Sequence, residues 1–328
     1  MIHQGTRASA RPYVIPFFIE LCTEPLVHNR FELLNFWGSA ITGYFSIQAR
    51  PTWGDGETIY EYGKVDKYAT ERGWHRELNE IYLESLKGKQ LLYNLLSDSD
   101  FQIRAGAVWV LACMPTIAES SIPKLEALFK REVSQGVRAG IAFALGELGA
   151  VETLKHILAE EQFTATKCIA ACQLARIAPD DSLIEPLLEF VTQPIKDYER
   201  ILGAGGKSTG DAAFAISYLP RHIKQQAIPA ICSLLKQTRS FDTVPLVETL
   251  LSAAFEEKDE PLTELTTIQQ LVLSQMLLTD ELWCIGNLMG TFSTYGLPDG
   301  IHDKKEECAK LVGIELTADE ALTELRCE

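Results

Sequence analysis

Five phrases of one type recur along the chain: Ile15-Pro16-Phe17-Phe18-Ile19, Ile122-Pro123-Lys124-Leu125, Ile184-Glu185-Pro186-Leu187-Leu188, Ile228-Pro229-Ala230-Ile231 and Val244-Pro245-Leu246-Val247. Each opens an apolar run with helical spacing. Proline is tolerated in the first turn of a helix, where its missing N–H would have had no partner, and leucines three and four residues on form one apolar stripe. The pattern therefore predicts a recurring amphipathic helix that begins at each phrase.

A second motif alternates with the first. Arg104-Ala105-Gly106-Ala107-Val108-Trp109-Val110-Leu111-Ala112 returns after a shift of 34 as Arg138-Ala139-Gly140-Ile141-Ala142-Phe143-Ala144-Leu145-Gly146. After a further shift of 29 it returns as Lys167-Cys168-Ile169-Ala170-Ala171-Cys172-Gln173-Leu174-Ala175. The unit reads as an Ala-rich helix, a break at Pro115, Gly149 or Pro179, and a second helix such as 151–159 or 183–191. Small residues on the first helix let neighbouring backbones approach. Two helices per repeat at such a period describe stacked hairpins that cannot bury their apolar faces alone.

These residues resemble the HEAT-repeat family, in which a first helix carrying a basic residue and alanines is followed by a second opening on an Ile-Pro-x-Leu phrase. The likeness covers residues 7–45 and 88–256. It implies an all-α fold, a right-handed α-solenoid of about five or six HEAT-like helical hairpins. The opening His3-Gln4-Gly5-Thr6, with Ala8 and the Ile15-Pro16 phrase, is similar to one found in bacterial HEAT-repeat proteins. Four regions are expected: amino-terminal helices over 1–45, an aromatic-rich insertion over 46–75, repeats over 76–256, and a divergent acidic helical cap over 257–328. Within that cap the apolar runs predict helices over 266–278, 282–292 and 304–312, with Trp283, Met289 and Phe292 closing the last groove.

The insertion interrupts the rhythm with Pro51, Gly54, Gly56, Gly63 and Gly73, and it interleaves Trp53, Tyr60, Tyr62, Tyr68 and Trp74 with charged residues. Loops of this length are usually functional or disordered, and Trp and Tyr dominate the energetics of protein interfaces. Trp53, Tyr60, Tyr62 and Trp74 are therefore candidate partner-binding residues; the alternative is that they fold back as a local cap. Arg104 and Arg138 are further candidates, because with Lys167 they would line one edge of the stack. Recurrence at one place in each copy equally fits a structural role, satisfying carbonyls and acids between repeats, and that reading is favoured. The amino terminus enters its first helix almost directly, without a polar capping repeat, so an earlier start or a covering partner is expected there.

No catalytic or cofactor motif is found. Leu202 to Asp211 carries Gly205-Gly206-Lys207-Ser208-Thr209, but Ile201 stands where a phosphate-cradling loop needs glycine. Gly210-Asp211 is read instead as a helix start, with Asp211 or Thr209 accepting backbone hydrogen bonds. The six histidines are dispersed. Cys168 and Cys172 share a helix face but lack two further ligands for a zinc site, so packing is their expected role. Glu147, Glu160 and Glu161 near repeat ends are read as solvated charges. The chain is accordingly expected not to be an enzyme and to need no metal or cofactor.

Composition bears on compartment and partner. No stretch of 18 apolar residues spans a membrane and no leader pattern opens the chain; scattered cysteines in apolar helical stretches fit a reducing cytoplasm. Among the 328 residues the net charge is −15, and residues 241–328 hold 18 Asp and Glu against five Lys and Arg. Such a field repels nucleic acid and favours a basic protein partner; the alternative is that the acidity merely keeps the solenoid in solution. The expected activity is protein binding on the concave face and the aromatic loop, in the form of an immunity or inhibitor protein that restrains a basic, nuclease-like toxin. Two rivals come from other classes: a bilin lyase, which the HEAT resemblance brings in, and self-assembly through the amino-terminal edge.

Overall fold

Helices account for every regular element beyond residue 7 that the computed structural model describes, which is residues 2–3, 6–7, 11–42, 74–196, 198, 207–257, 260–285, 288–298 and 304–316. The chain is all-α in organisation. One short antiparallel pair, β1 (Ile2–His3) and β2 (Thr6–Arg7), precedes the helices, with Ile2 opposite Arg7 and His3 opposite Thr6. Two compact units follow from the packing, Met1–Ile177 with Asp197–Gly205 and Ala178–Lys196 with Gly206–Glu328.

The first unit contains α1 (Arg11–Thr23), α2 (Arg30–Thr42), α3 (Trp74–Lys87), α4 (Lys89–Leu95), α5 (Phe101–Ala112), α6 (Ala118–Arg131), α7 (Gln135–Glu147), α8 (Val151–Glu160) and α9 (Thr164–Ile177). Its Ala-rich helices form a continuous inner row: α2 packs on α5, α5 on α7, and α7 on α9. They are buried nearly all round, with Gly106 to Ala112, Ala139 to Gly146 and Cys168 to Ala175 all buried. The outer helices bury one stripe each, Leu125 and Leu128 on α6, Leu154 and Ile157 on α8. This is the expected division between an apolar helix within a layer and an amphipathic helix covering it.

Breaks fall where backbone chemistry requires them. The chain bends by 97° from Phe101–Ala112 into Pro115–Arg131. After α7, Gly149 adopts φ +79°, Ala150 donates its N–H to the Leu145 carbonyl at 2.8 Å and Gly149 to that of Gly146 at 3.1 Å. That pair of bonds is a complete Schellman motif, and the left-handed residue it needs is glycine.

Glycine also sets the spacing of the inner row. A Cβ at Gly106 would lie 2.8 Å from Leu34 Cβ, and one at Gly38 would lie 2.0 Å from Trp109 Nε1. Gly136, by contrast, has no atom within 4 Å of a built Cβ. Gly106→Ala is expected to lower unfolding free energy by about 1–3 kcal/mol because overpacking exceeds the helix-propensity gain. Gly136→Ala is expected to raise it by up to about 1 kcal/mol. Urea denaturation of the two variants checks the opposite signs.

The second unit contains α10 (Ile184–Thr192), α11 (Ser208–Ile216), α12 (Arg221–Lys224), α13 (Ile228–Leu235), α14 (Val244–Ala254), α15 (Thr267–Leu277), α16 (Met289–Thr294) and α17 (Lys304–Val312). Here α10 packs on α11 and α13, α11 and α13 pack on α14, and α15 packs on α13, α14 and α17.

Three expectations are corrected. Pro186, Pro229 and Pro245 occupy first turns, but Pro16 and Pro123 lie inside α1 and α6, each of which begins five residues earlier. The helix expected over 282–292 is a 3₁₀ turn at Asp280–Cys284 followed by α16. Trp283 and Phe292 are nine residues apart, so a single helix would place them on opposite faces. The break lets both be buried, with ring centroids 5.5 Å apart. Lastly, α11 starts at Ser208 rather than at Gly210-Asp211: Thr209 is buried in its first turn, and no side-chain cap bond forms at Lys207. The Ser208 hydroxyl instead accepts the Ile195 N–H at 2.9 Å.

Candidate functional site

Of the sequence-derived candidates, Trp53, Tyr60 and Tyr62 lie outside the described residues, and Trp74 is the first residue of α3. Arg104 lies on α5 and Arg138 on α7, and the fold engages both internally.

Arg104 donates from Nε to Glu132 Oε2 at 2.6 Å and from a terminal nitrogen to Oε1 at 2.8 Å, a bidentate pair. Its other terminal nitrogen donates to the carbonyls of Asp98 and Ser99. The Glu132 carboxylate also accepts the N–H groups of Val133 and Ser134, at 3.0 and 2.9 Å. One repeat on, Arg138 binds Glu161 through Nε at 3.0 Å and through a terminal nitrogen, and it donates to the carbonyls of Phe129 and Glu132 at 2.7 and 3.0 Å. Glu161 accepts the N–H groups of Gln162 and Phe163. Arg104, Glu132, Arg138 and Glu161 thus form one connected ladder: Glu132 holds Arg104 by its carboxylate and Arg138 by its backbone carbonyl.

These groups are largely withdrawn from water, with side-chain exposures of 15% and 1% for the first pair and 16% and 3% for the second. Burial alone would push the Glu132 and Glu161 carboxyls up. The arginine hydrogen bonds, the backbone N–H groups and the guanidinium charges outweigh it, and both lie below the ordinary carboxylate value. Arg176 makes a further clasp, to Glu147 at 2.5 Å and Gln173 at 2.6 Å. The reading of all three glutamates as solvated charges is corrected accordingly: Glu160 is exposed, whereas Glu147 and Glu161 are buried and paired. Adjacent residues at a helix end project about 100° apart, so one of them turns inward. Lys167, at the equivalent place in the third copy, forms no ion pair among the described residues.

The inner ladder leaves a different surface available. On α1, Tyr13, Phe17 and Leu21 are 72%, 62% and 42% exposed, while Ile15 and Cys22 on the opposite side are fully buried. A spacing of four places the three on one face over about 12 Å. The exposed Glu20 and Glu24 border it. By residue order alone this helix reads as an ordinary repeat helix with its apolar residues inward. The missed cue is its width: Tyr13, Val14, Ile15, Phe17, Phe18, Ile19 and Leu21 encircle the helix, and one packed side cannot absorb them all.

A second group, in the second unit, gathers around the end of α14. Burial pushes the Glu248 carboxyl up to about 7, and Tyr295 is pushed up to about 12 by burial and by the charges of Glu257 and Glu248. Lys224 is held below its ordinary value by burial and by the Arg221 charge, against the opposing pull of Glu257. Arg221 clasps the helix end as the arginines of the first unit do, donating to the Ala254 carbonyl at 2.7 Å and to Glu256.

The described residues hold no group of three or more His, Cys, Asp or Glu placed to bind a metal. Cys168 and Cys172 are both buried within α9. No single described helix is long and apolar enough to cross a membrane. Among known proteins, no family model matches the chain and no curated protein is significantly similar to it.

Proposed function

We propose that the chain is a non-enzymatic protein-binding scaffold built as a right-handed solenoid of HEAT-like hairpins, and that the exposed face of α1 docks a basic partner. The solenoid reading is supported by the inner row α2, α5, α7 and α9, covered by amphipathic helices and clasped by arginines at corresponding places. The binding reading is carried by the α1 face. Three large apolar side chains in a line, rimmed by Glu20 and Glu24, match a segment that presents apolar residues flanked by Lys or Arg. The −15 net charge accelerates encounter with such a partner. Restraint of a basic, nuclease-like protein is the activity we favour for it.

The test uses a synthetic amphipathic helix of Leu and Lys, followed by fluorescence anisotropy, and then partners captured from native host lysate by wild type and by Phe17→Glu. Phe17→Glu removes an aromatic anchor and adds an acid. If charge alone binds the peptide, this variant binds tighter, and the docking proposal falls. If the aromatic face carries binding, affinity drops by about 30-fold, as for an interface hot spot. The same variant then loses the lysate partner that wild type retains at low salt and releases as salt rises.

A further inference from the structure

Helix α15, TIQQLVLSQML, contains no Asp, Glu, Lys or Arg, in a region where acids outnumber bases by 18 to five. Val272, Leu273, Met276 and Leu277 pack inward. On the other side Ile268, Leu271 and Leu278 are exposed at 38%, 49% and 70%, and Gln275 is half-buried beside them. At 100° per residue, positions 268, 271, 275 and 278 fall within an arc of about 80°, opposite the buried Leu273.

That face is symmetric about its centre. Positions 268 and 278 lie five residues on either side of 273, and positions 271 and 275 lie two residues on either side. A two-fold interface joins one patch to itself, so residue i meets j and j meets i. Two copies of α15 crossing antiparallel at residue 273 would set Ile268 against the second Leu278, and Leu271 against the aliphatic stem of the second Gln275. Charge selects the same occupant. Two copies carrying −15 each repel wherever acidic surfaces meet, and an uncharged helix face is where that repulsion is least. A basic partner gains nothing from a face without acids.

We infer that the exposed face of α15 is a two-fold homodimer contact, with the axis passing at residue 273. The contact is one helix long, at the low end of interface size, so the dimer is weak and concentration-dependent. Screening the net repulsion strengthens it, the reverse of the salt response of a basic partner. This contact is separate from the α1 docking face, and either can fail without the other.

Sedimentation equilibrium on the full chain tests it at low and moderate salt. Wild type is expected to pass from monomer to dimer over micromolar to millimolar concentrations, with more dimer at higher salt. Leu271→Glu is expected to weaken association by at least about tenfold, since it sets a charge against an apolar stem. Gln275→Glu, at a partly solvated amide, should do the same, with circular dichroism confirming the fold of each variant. Leu271→Glu combined with Gln275→Lys places two opposite-charge pairs across the axis and should restore the dimer. A wild type that stays monomeric throughout overturns the inference. So does a dimer indifferent to Leu271→Glu, or a double variant no better than the single one.

Discussion

Glu161→Ala is expected to destabilise the first unit by about 3–5 kcal/mol, the cost of leaving one member of a buried ion pair without its partner. The variant strands the Arg138 guanidinium, which is 16% exposed, and leaves the N–H groups of Gln162 and Phe163 without their acceptor. Arg138→Ala should cost a similar amount, because it uncovers the Glu161 carboxylate together with the carbonyls of Phe129 and Glu132. Arg138→Met with Glu161→Leu removes both charges at once and should cost much less than the sum, as expected for residues that act as a unit. The Glu161 carboxyl ionises more readily folded than unfolded. Its contribution is therefore complete above the ordinary value of 4.5 and is lost as pH falls through the lower folded value. Urea denaturation from pH 7 to pH 3 should show wild type losing more stability than Glu161→Ala over the acid limb. A cost below about 1 kcal/mol at pH 7 would place the pair with ordinary surface bridges and remove its structural role.

What could be read from residue order was governed by how local the determinant is. The Ala-rich helices, the break at Gly149 and the Pro115 corner depend on a few consecutive residues, and they stand where periodicity and turn chemistry place them. Arg104 and Arg138 were visible as a recurrence, but their acceptors lie 28 and 23 residues away. Nothing in the order of residues distinguishes the buried Glu161 from the solvated Glu160 beside it. Proline is tolerated at a helix start, so the sequence around Pro16 and Pro123 reads as two starts, whereas in both helices one further turn forms ahead of the ring. Trp283 and Phe292 show tertiary burial overriding a helical run: two large aromatics at a half-turn offset both go inside, and the helix breaks to let them. The α1 face and the α15 face were hidden for a common reason. Hydrophobic residues at helical spacing look alike whether a neighbour covers them or solvent does.

Glu248→Gln is expected to stabilise the second unit by up to about 3 kcal/mol at pH 8 and to leave stability unchanged at pH 4. Glu248 lies on α14, packed against α11, α12, α13 and α15, and among the described residues no hydrogen bond or ion pair compensates its burial. Among the described residues its charge bears on the Tyr295 phenol, which supplies no positive charge. The unfolded chain releases this proton near pH 4.5 and the folded chain near 7, so the folded state binds it more tightly. Stability accordingly declines as pH rises from about 4.5 to about 7, and the penalty is complete above that window. This runs opposite to the clasp carboxylates, whose contribution grows over the acid range. In Glu248→Gln the decline between pH 4.5 and 7 should flatten while the acid limb set by Glu132 and Glu161 persists. Thermal unfolding at pH 4, 6 and 8 separates them. A variant no more stable than wild type at pH 8 would mean that Glu248 already holds a compensating partner in solution, and that α14 tolerates its charge.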